Sequence, residues 1–226
     1  MRYDVIFMDI DNTLLDFHAG TVESLNTLLA EFGLELTQER ADRFFAINDD
    51  LWLRYEHGEI EKSQIFPTRF QRYLGEMGIE TDWLAANEIY ASGLRQSAVL
   101  MPQAMELLNA LKGKCRLYAV TNGVTTTQLP RLAKSGLDQC FDRIFISEQM
   151  GCQKPSKEFF DKVFEAIAPV DKSRCIILGD SLTSDMQGGR NAGIATCYFG
   201  KAIRDDRCDY TIENLMEFWE MLHAEC

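Results

Sequence analysis

Two acids, Asp9 and Asp11, end a short apolar run, Val5 to Met8, near the start of the chain. An apolar run that stops at polar breakers fits a strand buried on both faces, as in a parallel sheet. Ligands of open α/β sheets gather outside the carboxyl ends of such strands, and that is where these acids stand. Residues two apart on an extended chain share a face, so both carboxylates address one small volume. Like charges held so close are tolerable only with a cation or a proton between them. The pair implies a divalent metal, a shared proton, or both. Solvated turn acids closing a strand would look the same over these few residues, and the rest of the chain decides.

Further polar clusters stand at the ends of expected elements. Thr121 and Asn122 follow the apolar run Cys115 to Val120, Lys154 precedes a helix capped by Ser156, and Asp180 and Asp185 follow Cys175 to Leu178. Carboxylates suit a hard divalent ion, and Mg2+ takes a few of them together with waters and phosphate oxygens. A lone lysine and a hydroxyl suit a phosphate, which lysine meets as a point charge. Mg2+ and Lys154 would offset most of the charge that a phosphate dianion, Asp9 and Asp180 bring together. With Asp11 protonated, approach of a carboxylate to phosphorus becomes electrostatically feasible. An Asp nucleophile would give an aspartyl-phosphate and divide hydrolysis into two easier steps. Asp11 would protonate the leaving alkoxide and later take a proton from water. That role asks for a raised pKa, which proximity to Asp9 and partial burial would supply.

The elements that must position these groups read as follows. After Leu15 the apolar spacing is helical only: Thr21 to Phe32, a helix starting at Thr37, Ser63 to Met77 and a helix from Thr81. From about Val99 the pattern changes. A helix from Pro102 to Leu111 is followed by strands at Cys115–Val120, Asp142–Ile146, Cys175–Leu178 and Ala195–Phe199, with helices between them and a last helix over Asn214–Ala224. Pro130 is awkward inside the helix expected over Thr126 to Lys134 and is expected to shorten it. Alternating strand and helix means βαβ units and a parallel sheet. The expected organisation is an α/β core over 1–16 and 100–226 with a helical cap over 17–99, inserted after the first strand.

The chain has 226 residues, 46% of them hydrophobic and 26% charged, the composition of a globular protein with a sizeable core. Its formal net charge of −12 makes nucleic acid polymers and anionic membranes poor partners. The seven cysteines are odd in number and none stand at CxxC spacing, which points to a reducing, cytoplasmic setting without disulfides or a zinc cluster. The amino-terminal residues do not read as a signal peptide, because Asp4, Asp9 and Asp11 interrupt any apolar stretch.

Asp9-Ile10-Asp11-Asn12-Thr13, Thr121-Asn122-Gly123, Lys154-Pro155 and Gly179-Asp180 through Asp185 resemble the four motifs of the haloacid dehalogenase-like hydrolase superfamily. The resemblance implies a Rossmann-like parallel sheet with an all-helical cap. It implies Asp9 as nucleophile and Asp11 as acid/base. Mg2+ would be held by the Asp9 side chain, the Asp11 carbonyl and the Asp180 side chain. Asp185 would assist through water or by holding Lys154. Thr121 and Lys154 would grip the phosphoryl group, helped by the backbone of Asn122 and Gly123. Ile146-Ser147-Glu148, Gly151 and Lys154-Pro155, with Asn48, Trp52, Tyr55 and Gly58, are similar to a narrower branch, the house-cleaning pyrimidine 5′-nucleotidases. That resemblance implies a nucleoside monophosphate as substrate, pyrimidines preferred.

Substrate contact is expected from Phe17 and His18, in the loop leaving the first strand, and from Asn48, Trp52 and Tyr55; an aromatic stripe at helical spacing is otherwise core. The rival readings are a sugar-phosphate or other small-metabolite phosphatase, a mutase, a dehalogenase, and a non-catalytic phosphometabolite-binding protein. Asp11 speaks against a dehalogenase, since displacing halide needs no acid for an alkoxide. Oligomeric state and cap motion have no signature in the sequence.

Overall fold

A computed structural model describes residues 1–224. Its centre is a parallel sheet of strands β1 (Val5–Met8), β2 (Arg116–Thr121), β3 (Arg143–Ile146), β4 (Cys175–Gly179), β5 (Ala195–Phe199) and β6 (Tyr210–Ile212). Their order across the sheet is β3-β2-β1-β4-β5-β6. β1 pairs in parallel with β2 on one side and β4 on the other, Met8 lying level with Ala119 and Leu178. The polar residues following these three strands therefore emerge along a single edge.

Both sheet faces are buried, which is why β1 reads as an unbroken apolar run. Ile6 and Met8 pack with Leu107, Leu111, Phe218 and Leu222, from helices α5 (Ala104–Leu111) and α10 (Leu215–His223). Val5 and Phe7 pack on the other face with Phe159, Phe160, Val163 and Phe164 of α8 (Lys157–Ile167). Phe7 lies 5.7 Å from Tyr118 in a stacked pair and meets Phe160 and Phe164 edge-on.

Two compact units result, one from Met1–Phe17 and Ala98 onward, the other His18–Ser97. The second consists of most of α1 (Phe17–Ala30) with α2 (Gln38–Glu56), α3 (Lys62–Gly75) and α4 (Trp83–Gln96). Its interior holds Phe44, Phe70 and Tyr90 around a buried cation, Arg69, with Tyr73 edge-on to Phe44. The guanidinium donates to Asn48 Oδ1 at 2.9 Å and Asn87 Oδ1 at 2.6 Å. In the first unit, Asp16 N–H donates to Val99 O and Met101 N–H to Leu14 O, each at 2.9 Å. The chain thus leaves for the insertion and returns from it side by side.

Several expectations shift. β6 and the short helix α7 (Ser147–Met150) have no counterpart in the sequence reading. The helix expected from Ser184 is a π-helical turn, Leu182–Met186, leading into α9 (Gln187–Ala192). Pro130 does not shorten its helix: α6 runs through it from Thr125 to Ser135. Pro130 and Thr126, whose carbonyl loses its helical donor, are both exposed residues. No described helix is long and apolar enough to cross a membrane. The described cysteines are all free.

Candidate active site

The turn after β1 carries the first acids. Asn12 takes the left-handed conformation, φ 58°, which Asn tolerates better than most residues. The chain then curls back, Leu14 and Leu15 N–H both donating to Ile10 O. This places Asp9, 7% exposed, over the end of β1 and sets Asp11 beside it in the turn.

Lys154 reaches the same point from the loop before α8. It is 1% exposed, and its ammonium donates to Asp9 Oδ1 at 2.6 Å, Asp185 Oδ1 at 2.6 Å and Val120 O at 2.9 Å. All three of its N–H groups are spent. Asn122 holds the lysine's backbone from both sides, accepting from Lys154 N–H and donating to Lys154 O, each at 2.9 Å. Asp185, fully buried, also accepts from Ser181 N–H at 3.1 Å. Thr13 lies 3.5 Å from both Asp9 Oδ2 and Asp180 Oδ1, a long, weak contact that links the two acids.

One ammonium faces three carboxylates here, and the imbalance shows in the acidity of Asp9 and Asp180. Burial pushes Asp9 up; Lys154 pulls it back and Asp185 pushes again, leaving it at about 7. Burial, then Asp9 and Asp185, raise Asp180 well above the ordinary carboxylate range. Burial works against the charge on Lys154, but Asp185 and Asp9 outweigh it and its pKa is raised. The site is short of positive charge. Asp9, Asp180 and Asp185 each offer an oxygen, all within 4.8 Å of one another, an all-oxygen donor set that fits a hard divalent cation.

A pH dependence follows. A carboxylate whose pKa is raised on folding contributes stability below its unfolded value and loses it as pH rises through the folded one. For Asp9 that loss builds from the ordinary carboxylate range and is complete above about 7. Mg2+ should therefore raise the melting temperature more at about pH 8 than at about pH 6, and its binding should release protons at the lower pH. An equal shift at both pH values, measured by scanning fluorimetry, would contradict this account.

Asp11 is held by helix α6. Gln128 Nε2 donates to Asp11 Oδ2 at 2.8 Å and to Thr121 Oγ1 at 2.9 Å. Arg131 Nη1 donates to Asp11 Oδ1 at 2.5 Å and to Gln128 Oε1 at 2.9 Å. Gln128 and Arg131 were not among the expected site residues. Their signal is a pair of polar residues three apart, one helical turn after Thr121-Asn122-Gly123.

Gly179, the last residue of β4, leaves room for Asp185: a Cβ there would lie 2.2 Å from Asp185 Oδ2. Gly179→Ala must displace that carboxylate, which already has two bonds. We expect a loss of about 1–3 kcal/mol in urea denaturation, with weakened Mg2+ binding. An unchanged midpoint would show that Asp185 has slack.

The structure thus brings Asp9, Asp11, Thr121, Asn122, Lys154, Asp180 and Asp185 to one edge. Phe17 lies in the same unit, its ring centroid 6.0 Å from the Arg131 guanidinium carbon. The remaining expected contacts belong to the helical unit. His18 is exposed and stacks on Phe45 at 4.0 Å; Trp52 is half-buried against Tyr55 at 5.8 Å. Asn48 is 3% exposed, accepting from Arg69 and donating to Asp49, and Tyr55 is also buried. Burial makes Asn48 and Tyr55 packing residues here, and the expectation of substrate contact is corrected for both.

The chain belongs to the haloacid dehalogenase-like hydrolases, whose family model matches residues 3–193. A crystal structure of the HAD-hydrolase YfnB from Bacillus subtilis, bound to magnesium, matches with a TM-score of 0.93 and 36% identity, over 99% of this chain and 100% of that one. The pyrimidine 5′-nucleotidase PynA of Streptococcus pneumoniae is 40% identical over 88% of this chain and 84% of its own. The pyrimidine 5′-nucleotidase YjjG of Escherichia coli is 33% identical over 98% of this chain and 99% of its own.

Proposed function

We propose that this hydrolase is a Mg2+-dependent phosphatase of small phosphate monoesters. Its preferred substrates are nucleoside 5′-monophosphates, pyrimidines above purines. The observation that carries the reading is the buried chain Asp9–Lys154–Asp185 beside Asp180, which is short of positive charge and lies on the edge that carries Thr121. The names of PynA and YjjG support the substrate class. The free cysteines among the described residues fit a cytoplasmic setting.

Asp9, Asp180 and Asp185 would hold the ion, with the Asp11 carbonyl as the family resemblance implies. Mg2+, when bound, offsets negative charge on the carboxylates and the phosphoryl oxygens. Asp9 attacks phosphorus, and the bond from phosphorus to the ester oxygen breaks. Asp11 gives its proton to the departing alkoxide, and the alcohol leaves. In the second step Asp11 takes a proton from water as its oxygen attacks the aspartyl-phosphate. The acyl phosphate bond then breaks, releasing inorganic phosphate and restoring Asp9. Lys154 fixes Asp9 against its neighbours and, its three N–H groups being spent, offsets phosphoryl charge as a nearby cation, while Thr121 meets a phosphoryl oxygen. Phe17, His18 and Trp52 are the accessible candidates for contact with the rest of the substrate.

A panel of UMP, dUMP and dTMP against sugar phosphates and p-nitrophenyl phosphate, with and without Mg2+, tests this. The pyrimidine nucleotides should give the highest kcat/KM, and EDTA should remove the activity. Sugar phosphates preferred by a wide margin would refute the nucleotidase assignment. No phosphate release from any ester would refute the phosphatase.

A further inference from the structure

Resting on the phosphatase reading, we propose that Gln128 and Arg131 are positioning residues that aim the carboxylate of Asp11 at the leaving oxygen. Through the same amide they aim the hydroxyl of Thr121 at the phosphoryl group.

The bonding leaves the clamp one arrangement. Both N–H groups of the Gln128 amide are used, one on Asp11 and one on Thr121. Its oxygen accepts from Arg131. A reversed amide would put oxygen against the Asp11 carboxylate and N–H against the guanidinium, so Arg131 sets which way Gln128 faces. Thr121 Oγ1 also accepts from Gly123 N–H at 3.0 Å. With two donors already on that oxygen, the hydroxyl proton is directed elsewhere, and Thr121 meets its ligand as a donor. A phosphoryl oxygen is the complementary acceptor. Gly123 makes room for this geometry: a Cβ there would come within 2.6 Å of the Gln128 side chain.

A purely structural role explains the pair poorly. Gln128 and Arg131 are each 1% exposed, and Arg131 Nε is buried with no hydrogen-bond partner. A buried ion pair with an orphaned donor is a weak source of stability, and an apolar side chain would serve packing as well. Asp11, by contrast, keeps 28% of its side chain exposed. The clamp puts one donor on each Asp11 oxygen and leaves the carboxylate's outer side open.

The test compares two esters. The value of kcat/KM covers only the steps through the first phosphoryl transfer, where Asp11 acts as acid. Nitrophenolate leaves p-nitrophenyl phosphate without a proton, whereas the alkoxide of UMP, or of the best alkyl phosphate in the panel, requires one. Arg131→Met should lower kcat/KM by about 100-fold on the alkyl ester and by less than about 10-fold on p-nitrophenyl phosphate. Gln128→Met should lower both, because Thr121 loses its orientation too, with the alkyl ester losing more. Arg131→Lys, which keeps a donor for Asp11, should recover part of the alkyl-ester rate and guards against a misfolded variant. Equal losses on the two esters, or none, would overturn the proposal while the phosphatase stands. Unaltered protein that cleaves neither ester would overturn both.

Discussion

Asp9→Asn should cut phosphate release from any monoester by roughly 10⁴-fold or more while the protein stays folded. The amide cannot attack phosphorus, and among the described residues no other carboxylate stands at the end of β1 with its oxygen fixed by a buried ammonium. The fold should survive because Lys154 keeps Asp185 and Val120 O as acceptors. It should even gain somewhat in metal-free protein above about pH 7, where a crowded acid at the raised value of Asp9 has become neutral. Phosphate release by the malachite-green reaction and a melting curve make the pair of measurements. Phosphate release at the unaltered rate would remove Asp9 as nucleophile. Loss of activity together with loss of fold would leave the chemistry to be read from ³²P trapped on the unaltered protein.

Lys154→Met should cost both activity and stability, the first by about 10³-fold and the second by about 3–5 kcal/mol, because it strips the ammonium that holds Asp9 and Asp185 from a group of crowded acids. The direction with pH can be worked out. The pKa of Lys154 is raised in the fold, so its contribution is fully present below the ordinary lysine value of about 10.4 and is lost only as pH rises beyond it. Across neutral pH the unaltered protein therefore keeps all of it. In the variant, Asp9 and Asp180 take up protons as pH falls, so the deficit should shrink from about pH 8 to about pH 5. Mg2+ should restore part of the stability but not the activity. Urea denaturation at the two pH values with EDTA decides; a deficit independent of pH would mean that the lysine serves packing alone.

Asp9, Asp11, Thr121 and Asp180 were legible in the sequence because each sits where an apolar run stops, and a parallel sheet turns such stops into a common edge; Lys154 was legible just ahead of a capped helix. Gln128 and Arg131 were not. A polar residue in a helix is read as facing water, and only the tertiary fold shows that this face of α6 meets Asp11. Pro130 drew an expectation of a break, but a proline on the wet side of a helix frees a carbonyl that water can satisfy. Asn48 was read as a substrate contact, yet its partner is Arg69 from the next helix; one sequence position shows only one end of a hydrogen bond. The π-helical turn at Leu182–Met186 reads as ordinary helix in sequence. The spacing of Asp185 from Gly179 is settled by a side chain folding back over a glycine, which no periodicity records. β6 was missed because three residues, Tyr210–Ile212, are too short to display alternation.

The ladder that joins Leu14, Leu15 and Asp16 to Val99, Leu100 and Met101 behaves as a clasp. Everything threaded between its two sides is an excursion whose closure is already secured by bonds internal to the α/β unit. Lengthening, shortening or exchanging that excursion leaves the clasp, and with it the catalytic edge, in register. Descent with modification can therefore rework the inserted helices by editing one contiguous gene segment, while the α/β unit is inherited intact.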